Sequence, residues 1–161
     1  MNAIVVYYSL EGHAARCAQA IAQALGAETL ELTCVKPYPT QGRAKFLRSS
    51  KDTLMGARPA LAPYDFDASA YDTIVLGAPC WAGRPAAPLN TFLHDHNLSG
   101  LRRAAFITCK AEQATEKYAQ KMRATCQVPG DLPVLGICEK QMADASAFDA
   151  AIDAFAHSVR A

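Results

Sequence analysis

Ala3 to Tyr8 is an unbroken apolar run of small, β-branched and aromatic residues. Continuous runs of this kind form strands buried on both faces, as in a parallel sheet. Ser9 to Gly12 interrupts it. From Ala14 the apolar positions fall at 14, 17, 18, 21, 22 and 25, the spacing of a helix with one buried face, and Gly26 closes it. Glu28 to Cys34 alternates in part and predicts a second strand. Residues 3–34 therefore predict strand, helix, strand.

The stretch 36–70 is punctuated by Pro37, Pro39, Pro59 and Pro63, with a polar helix predicted between Thr40 and Leu54. Its basic residues Arg43, Lys45, Arg48 and Lys51 read as a solvated helix face, with a ligand or partner contact as the other option. Thr73–Gly77 is the next buried strand. Pro85–His96 is a short helix with Leu89, Phe92 and Leu93 on one side. Arg103–Thr108 predicts a fourth strand, and Glu112–Thr125 a helix with Tyr118 and Met122 turned inward. Pro133–Cys138 predicts a fifth strand. The last helix carries the stripe Phe148, Ile152, Phe155, Val159. No repeat, low-complexity segment or linker interrupts the alternation, so residues 1–161 form one α/β domain. Right-handed crossovers then favour a three-layer, doubly wound parallel sheet.

Composition sharpens this picture in two ways. The hydrophobic fraction is 51%, but 32 of those residues are alanine, so about 31% of the chain carries the core. That balance suits a helix-rich globule, and at 161 residues the chain can bury roughly 70% of its unfolded surface. A formal charge of +1 gives no electrostatic case for nucleic acid or an anionic membrane. No run approaches the ~18 apolar residues of a membrane span, and no charged segment precedes the first apolar stretch, so a cytoplasmic location is expected. Six cysteines occur without a Cys-x-x-Cys pair, which removes zinc-knuckle and thioredoxin-type motifs and leaves small buried hydrophobes. There is no Gly-x-Ser-x-Gly elbow, and His94 and His96 stand at a spacing poor for metal ligation.

In open α/β sheets, ligands gather beyond the carboxyl ends of the strands. That rule selects residues 9–14, 78–88 and 108–112. Their neighbourhoods carry Tyr7-Tyr8-Ser9-x-x-Gly12, Tyr71-Asp72-x-Ile74-x-x-Gly77-x-Pro79-x-Trp81, Pro88-x-x-x-Phe92-Leu93 and Phe106-x-Thr108. In order and spacing these blocks resemble the flavodoxin-like family over nearly the whole chain. Pro37-Tyr38-Pro39 and Arg58-Pro59 resemble a short-flavodoxin subgroup. The resemblance implies a five-stranded sheet in the order 2-1-3-4-5 and an FMN site at the three loops. It places Ser9, Leu10, Glu11, Gly12, His13 and Ala14 at the phosphate. Pro79, Cys80, Trp81, Ala82 and Gly83, with Thr108, Cys109 and Lys110, come to the ring, where Trp81 would stack.

Two loops depart from the family pattern. The phosphate loop commonly reads close to Ser/Thr-x-Thr-Gly-Asn-Thr; here it is Ser9-Leu10-Glu11-Gly12-His13-Ala14. A helix N-terminus favours a phosphate, whereas a carboxylate at Glu11 opposes it unless neutralised. His13 can offset this as a donor, and a plain helix-capping role for Glu11 is the other option. In the third loop Cys109-Lys110-Ala111 replaces the family's Ser-Gly-Gly, and Lys110 beside a flavin would raise its potential. Arg84 could meet an anion or remain solvated. Cys80 and Cys109, past the ends of neighbouring strands ~4.8 Å apart, could form a redox-active dithiol.

The expected function is noncovalent FMN binding for electron transfer or small-acceptor reduction, with an NAD(P)H oxidoreductase as one form of it. Flavodoxin shuttles are usually strongly acidic, and a charge of +1 favours a self-contained reductase with a quinone-like acceptor. The other reading is a flavodoxin-fold binding or regulatory module with weakened or lost FMN binding. Expected partners are a redox protein or a small-molecule electron donor or acceptor, with no nucleic acid, no membrane and a homodimer left open.

Overall fold

Every side chain of β1, Ala3–Tyr8, is buried, which places this apolar run on an inner strand of the sheet. The computed structural model describes residues 1–161. Around β1 the strands are β2 (Glu28–Leu32), β3 (Thr73–Trp81), β4 (Arg84–Pro85), β5 (Arg102–Cys109) and β6 (Val134–Cys138). The helices are α1 (His13–Leu25), α2 (Gly42–Leu54), α3 (Pro88–Asp95), α4 (Thr115–Cys126), α5 (Glu139–Ala143) and α6 (Ala145–Arg160).

The sheet runs β2-β1-β3-β5-β6, with every neighbouring pair parallel. This is the expected 2-1-3-4-5 order with β4 added as a short antiparallel partner of β3. Two apolar layers cover it. Ile4, Val6, Ile74, Leu76, Ala105 and Ile107 point to one side, against Leu89 and Phe92 of α3 and Met122 of α4. Val5, Tyr7, Val75, Ala104 and Phe106 point to the other, against α1 and the Phe148–Ile152–Phe155–Val159 stripe of α6. Alanines 14, 18 and 22 on the buried face of α1 let that helix lie close to the sheet. No helix is long and apolar enough to cross a membrane.

Several elements differ from the sequence reading, among them the helix read from Pro85, which begins at Pro88 while Pro85 belongs to β4. β3 continues past Gly77 to Trp81, because Trp81 and Cys80 pair back with Arg84 and Pro85 of β4. The connection is two residues, Ala82 (φ 48°) and Gly83 (φ 78°), both left-handed. That is the mirror-image turn that matches the twist of a tight hairpin. β2 stops at Leu32, since Cys34 leaves β1 and bridges Leu61. The five-residue α5 was not expected at all.

Only two of the four basic residues of α2, Arg43 and Lys51, are exposed on the expected solvated face. Ser49 and Thr53 are buried, Lys45, Arg48 and Asp52 are half-buried, and Phe46, Leu47 and Leu54 face solvent. The inward polar groups have work there: Tyr38 donates to Asp52 (2.7 Å), and Arg48 donates to the carbonyl of Pro37 (2.7 Å) while lying over the Tyr38 ring. The Pro37-Tyr38-Pro39 segment is thus held by α2.

His96, at the end of α3, shares a 2.8 Å hydrogen bond with Tyr64 and packs against Phe92 and Phe66. Burial lowers its pKa, with Asp95 opposing in part. Below the ordinary value near 6.5 the unfolded chain takes up this proton first. The neutral-His contribution to stability is therefore full above pH 6.5 and falls away as pH drops through the lowered folded value. Urea midpoints at pH 7.5 and 5.5 should show a larger acid loss for wild type than for His96→Phe; equal losses would contradict this.

Candidate functional site

The carboxyl ends of β1, β3 and β5 open into a cavity of about 340 Å³, within the range of small-molecule and cofactor sites. Every residue that the sequence placed at a cofactor lines it except Gly12. Gly12 instead makes the turn possible: it caps α1 with φ 94°, a left-handed conformation costly for other residues.

The loop before α1 is arranged for an anion. The Ser9 hydroxyl accepts from the amides of Gly12 (3.1 Å) and Ala15 (3.2 Å), and the Arg16 amide bonds the Gly12 carbonyl. The amides of His13 and Ala14 have no protein acceptor. These are the free donors that a helix N-terminus presents to a phosphate or carboxylate. Across the cavity mouth Lys45 of α2 forms an ion pair with Glu11 of this loop. The Lys45 side chain is only 14% exposed and that of Glu11 39%. Glu11 therefore pairs with Lys45 instead of capping α1, and keeps part of its carboxylate in water. His13 lies 3.8 Å from Glu139, the first residue of α5, and Glu11, His13 and Glu139 form one cluster, the first two exposed and Glu139 half-buried.

On the opposite wall Trp81 is backed by two buried tyrosines outside the lining. Trp81, half-buried, meets Tyr8 edge-on at 5.4 Å and Tyr38 at 4.8 Å. Burial raises the phenols of Tyr8 and Tyr38, and the bond to Asp52 raises Tyr38 further, so the support behind Trp81 stays uncharged. Phe46 projects from α2 with the ammonium groups of Lys45 and Lys110 5.6 and 6.0 Å from its ring centre. Arg84 sits outside the cavity, exposed on the hairpin.

Cys80 and Cys109 both line the cavity, and both are free thiols. Cys109 donates weakly to the carbonyls of Ala111 (3.5 Å) and Ile137 (3.7 Å). Burial, then the neighbouring Cys80 and Cys138, push its pKa up to about 11. Burial also raises Cys80, against a Gly83 amide that lowers it. Neutral thiols are poor nucleophiles, which favours two small residues filling the rim over the redox-active dithiol that the strand order allows. The remaining cysteines are buried, as expected.

Lys45, Phe46, Ser49, Ser50, Tyr118 and Glu139 line the cavity without having been anticipated. Glu139 follows the last residue of β6, so the rule of carboxyl ends applied to the fifth strand would have found it. Lys45 had only its place among four basic residues, and nothing in the pattern aims α2 at the loop of α1.

The family model for flavodoxin matches residues 2–144. The chain belongs to the flavodoxin family. No curated protein matches this flavodoxin in sequence. Among solved structures, a protein assigned as a flavoprotein from Bacteroides eggerthii is 23% identical, with TM-score 0.75 over 96% of this chain and 98% of that one. A flavoprotein from Lactobacillus acidophilus, in complex with FMN, is 23% identical with TM-score 0.68 over 85% and 91%. An NADH:FMN oxidoreductase in its apo form is 15% identical with TM-score 0.58 over 98% and 90%. At these identities the likeness is one of fold.

Proposed function

We propose that this flavodoxin binds FMN noncovalently in the cavity at the carboxyl ends of β1, β3 and β5 and passes electrons from a reduced donor to a small acceptor. The observation that carries the reading is the pairing of two chemically different ends in one cavity. Free helix amides at His13 and Ala14 suit a phosphate, and Trp81, in the lining and backed by the buried Tyr8 and Tyr38, suits a planar ring. Bound FMN supplies the redox chemistry. The chain binds, orients and shields it: Ser9 and Gly12 fix the loop, Trp81 offers a face to the ring, and Pro79, Cys80, Thr108 and Cys109 form the floor. Ala82 and Gly83 turn the hairpin that holds Trp81 in place.

A charge of +1 gives no acidic field for docking to a basic reductase. It favours a self-contained NAD(P)H-dependent reductase of a quinone-like acceptor, acting free of nucleic acid and membrane in the cytoplasm. The test is anaerobic mixing of the FMN-loaded protein with NADH or NADPH. Bleaching of the flavin bands, restored by a quinone, supports the reductase. Flavin that stays oxidised with both nucleotides rejects it and leaves transfer between protein partners.

Lys110 is exposed at the cavity rim. Its positive charge favours negative charge added to the ring. Lys110→Ala should lower the potential of the bound flavin by roughly 30 mV, the equivalent of about 1.4 kcal/mol for two electrons. Spectroelectrochemical titration measures it, and an unchanged potential rejects the role.

A second reading, a flavodoxin-fold module that has lost FMN, draws on Glu11, a carboxylate in the phosphate loop. Its pairing with Lys45 neutralises that charge and removes most of the objection. A colourless protein that ignores excess FMN would establish the module instead.

A further inference from the structure

Lys45 is a cation withdrawn from water and satisfied by one carboxylate, and that carboxylate belongs to the loop with the free amides. Leaving a largely covered ammonium without an anionic partner is costly, so an anion at Lys45 is favoured over none. Glu11 is a poor permanent choice. It sits within 4.8 Å of a second carboxylate, Glu139, with His13 between them, and it is the more exposed member of its pair. A flavin phosphate seated on the His13 and Ala14 amides would bring a dianion to the same ammonium.

We propose that Lys45 is the phosphate counter-ion of this site, and that Glu11 holds its place until FMN arrives. Binding exchanges one charge-assisted pair for another: the phosphate oxygens accept from the Lys45 ammonium, and the Glu11 carboxylate swings outward into water. Phosphate recognition here combines helix amides with a lysine delivered by α2. Of the three loop hydroxyls in the family pattern only Ser9 is present, and positions 11 and 14 have none. FMN affinity is then a difference between two pairings, whereas riboflavin, which has no phosphate, leaves the Lys45–Glu11 pair intact. The inference rests on FMN binding in this cavity, and it assigns a discrimination that FMN binding alone does not require.

The test is fluorescence-quench titration of wild type, Lys45→Met, Lys45→Arg and Glu11→Gln with FMN and with riboflavin. Lys45→Met should weaken FMN by about 10- to 100-fold, the worth of a charge-assisted bond, and leave riboflavin within about twofold. Lys45→Arg should keep most of the preference for FMN. Glu11→Gln should tighten FMN by roughly 3- to 10-fold with riboflavin unchanged, because the competitor for Lys45 has lost its charge. Equal losses for both flavins in Lys45→Met would show that Lys45 merely holds α2, and an unaltered FMN affinity would show that it never meets the phosphate; either overturns the proposal. Wild type that binds neither flavin overturns the FMN reading itself, a separate outcome from an FMN preference that ignores Lys45.

Discussion

Replacing Phe106 with alanine is expected to destabilise the protein by about 3–5 kcal/mol, the cost of emptying a large, fully enclosed aromatic site. Phe106 has no exposure and lies on β5, an inner strand between β3 and β6. Its ring also explains Gly77. A Cβ built on Gly77 would lie 2.1 Å from the Cε1 and Cζ atoms of Phe106, closer than any real contact. Gly77 is therefore a packing residue: its missing side chain makes room for the ring. Gly77→Ala alone should cost about 1–3 kcal/mol through overpacking. With Phe106→Ala the added methyl group fills part of the emptied space, so the double variant should lose less than the sum of the two. Urea denaturation with an unchanged m-value measures all three. Losses that simply add within about 0.5 kcal/mol would contradict the contact.

The second large effect concerns the ligand. Trp81→Ala should weaken FMN binding by about 10- to 100-fold, the worth of about 1.5–3 kcal/mol of buried aromatic surface. Trp81 is not free to rotate away: Tyr8 and Tyr38 support it, and the Ala82–Gly83 turn fixes its strand. The side chain is thus preorganised, and the ligand need not order it. Trp81→Phe should retain most of the affinity. If Trp81→Ala binds FMN as tightly as wild type, the ring is held elsewhere.

Much of this was legible in the residues. β1 and α6 followed from periodicity alone, because one is apolar throughout and the other apolar on a single stripe. The site loops followed from where the strands end. β3 was read short because Gly77 and Pro79 look like punctuation. In the fold Gly77 accommodates a ring from the next strand, and Pro79 stays in register with Thr108 while its carbonyl accepts the Ala86 amide. Both reasons are tertiary and leave no local trace.

The polar inner face of α2 is a harder case. Helices normally turn apolar residues inward, but here Lys45, Arg48 and Asp52 turn inward to serve Glu11, Pro37 and Tyr38. Partners 11 to 34 residues away dictate that choice. The meaning of Glu11 was equally out of reach. A carboxylate in a phosphate loop is a defect or a placeholder depending on a lysine that only the fold brings to it.

The central claim is that this flavodoxin holds FMN in the cavity between the α1 loop and Trp81. Titrating FMN with the purified, flavin-free protein and following flavin fluorescence tests it most directly. Saturable quenching at one FMN per chain, with a Kd of roughly 1 μM or tighter that is weakened in Trp81→Ala, is the predicted result. Fluorescence that stays unquenched up to about millimolar protein, or quenching indifferent to Trp81, would contradict it.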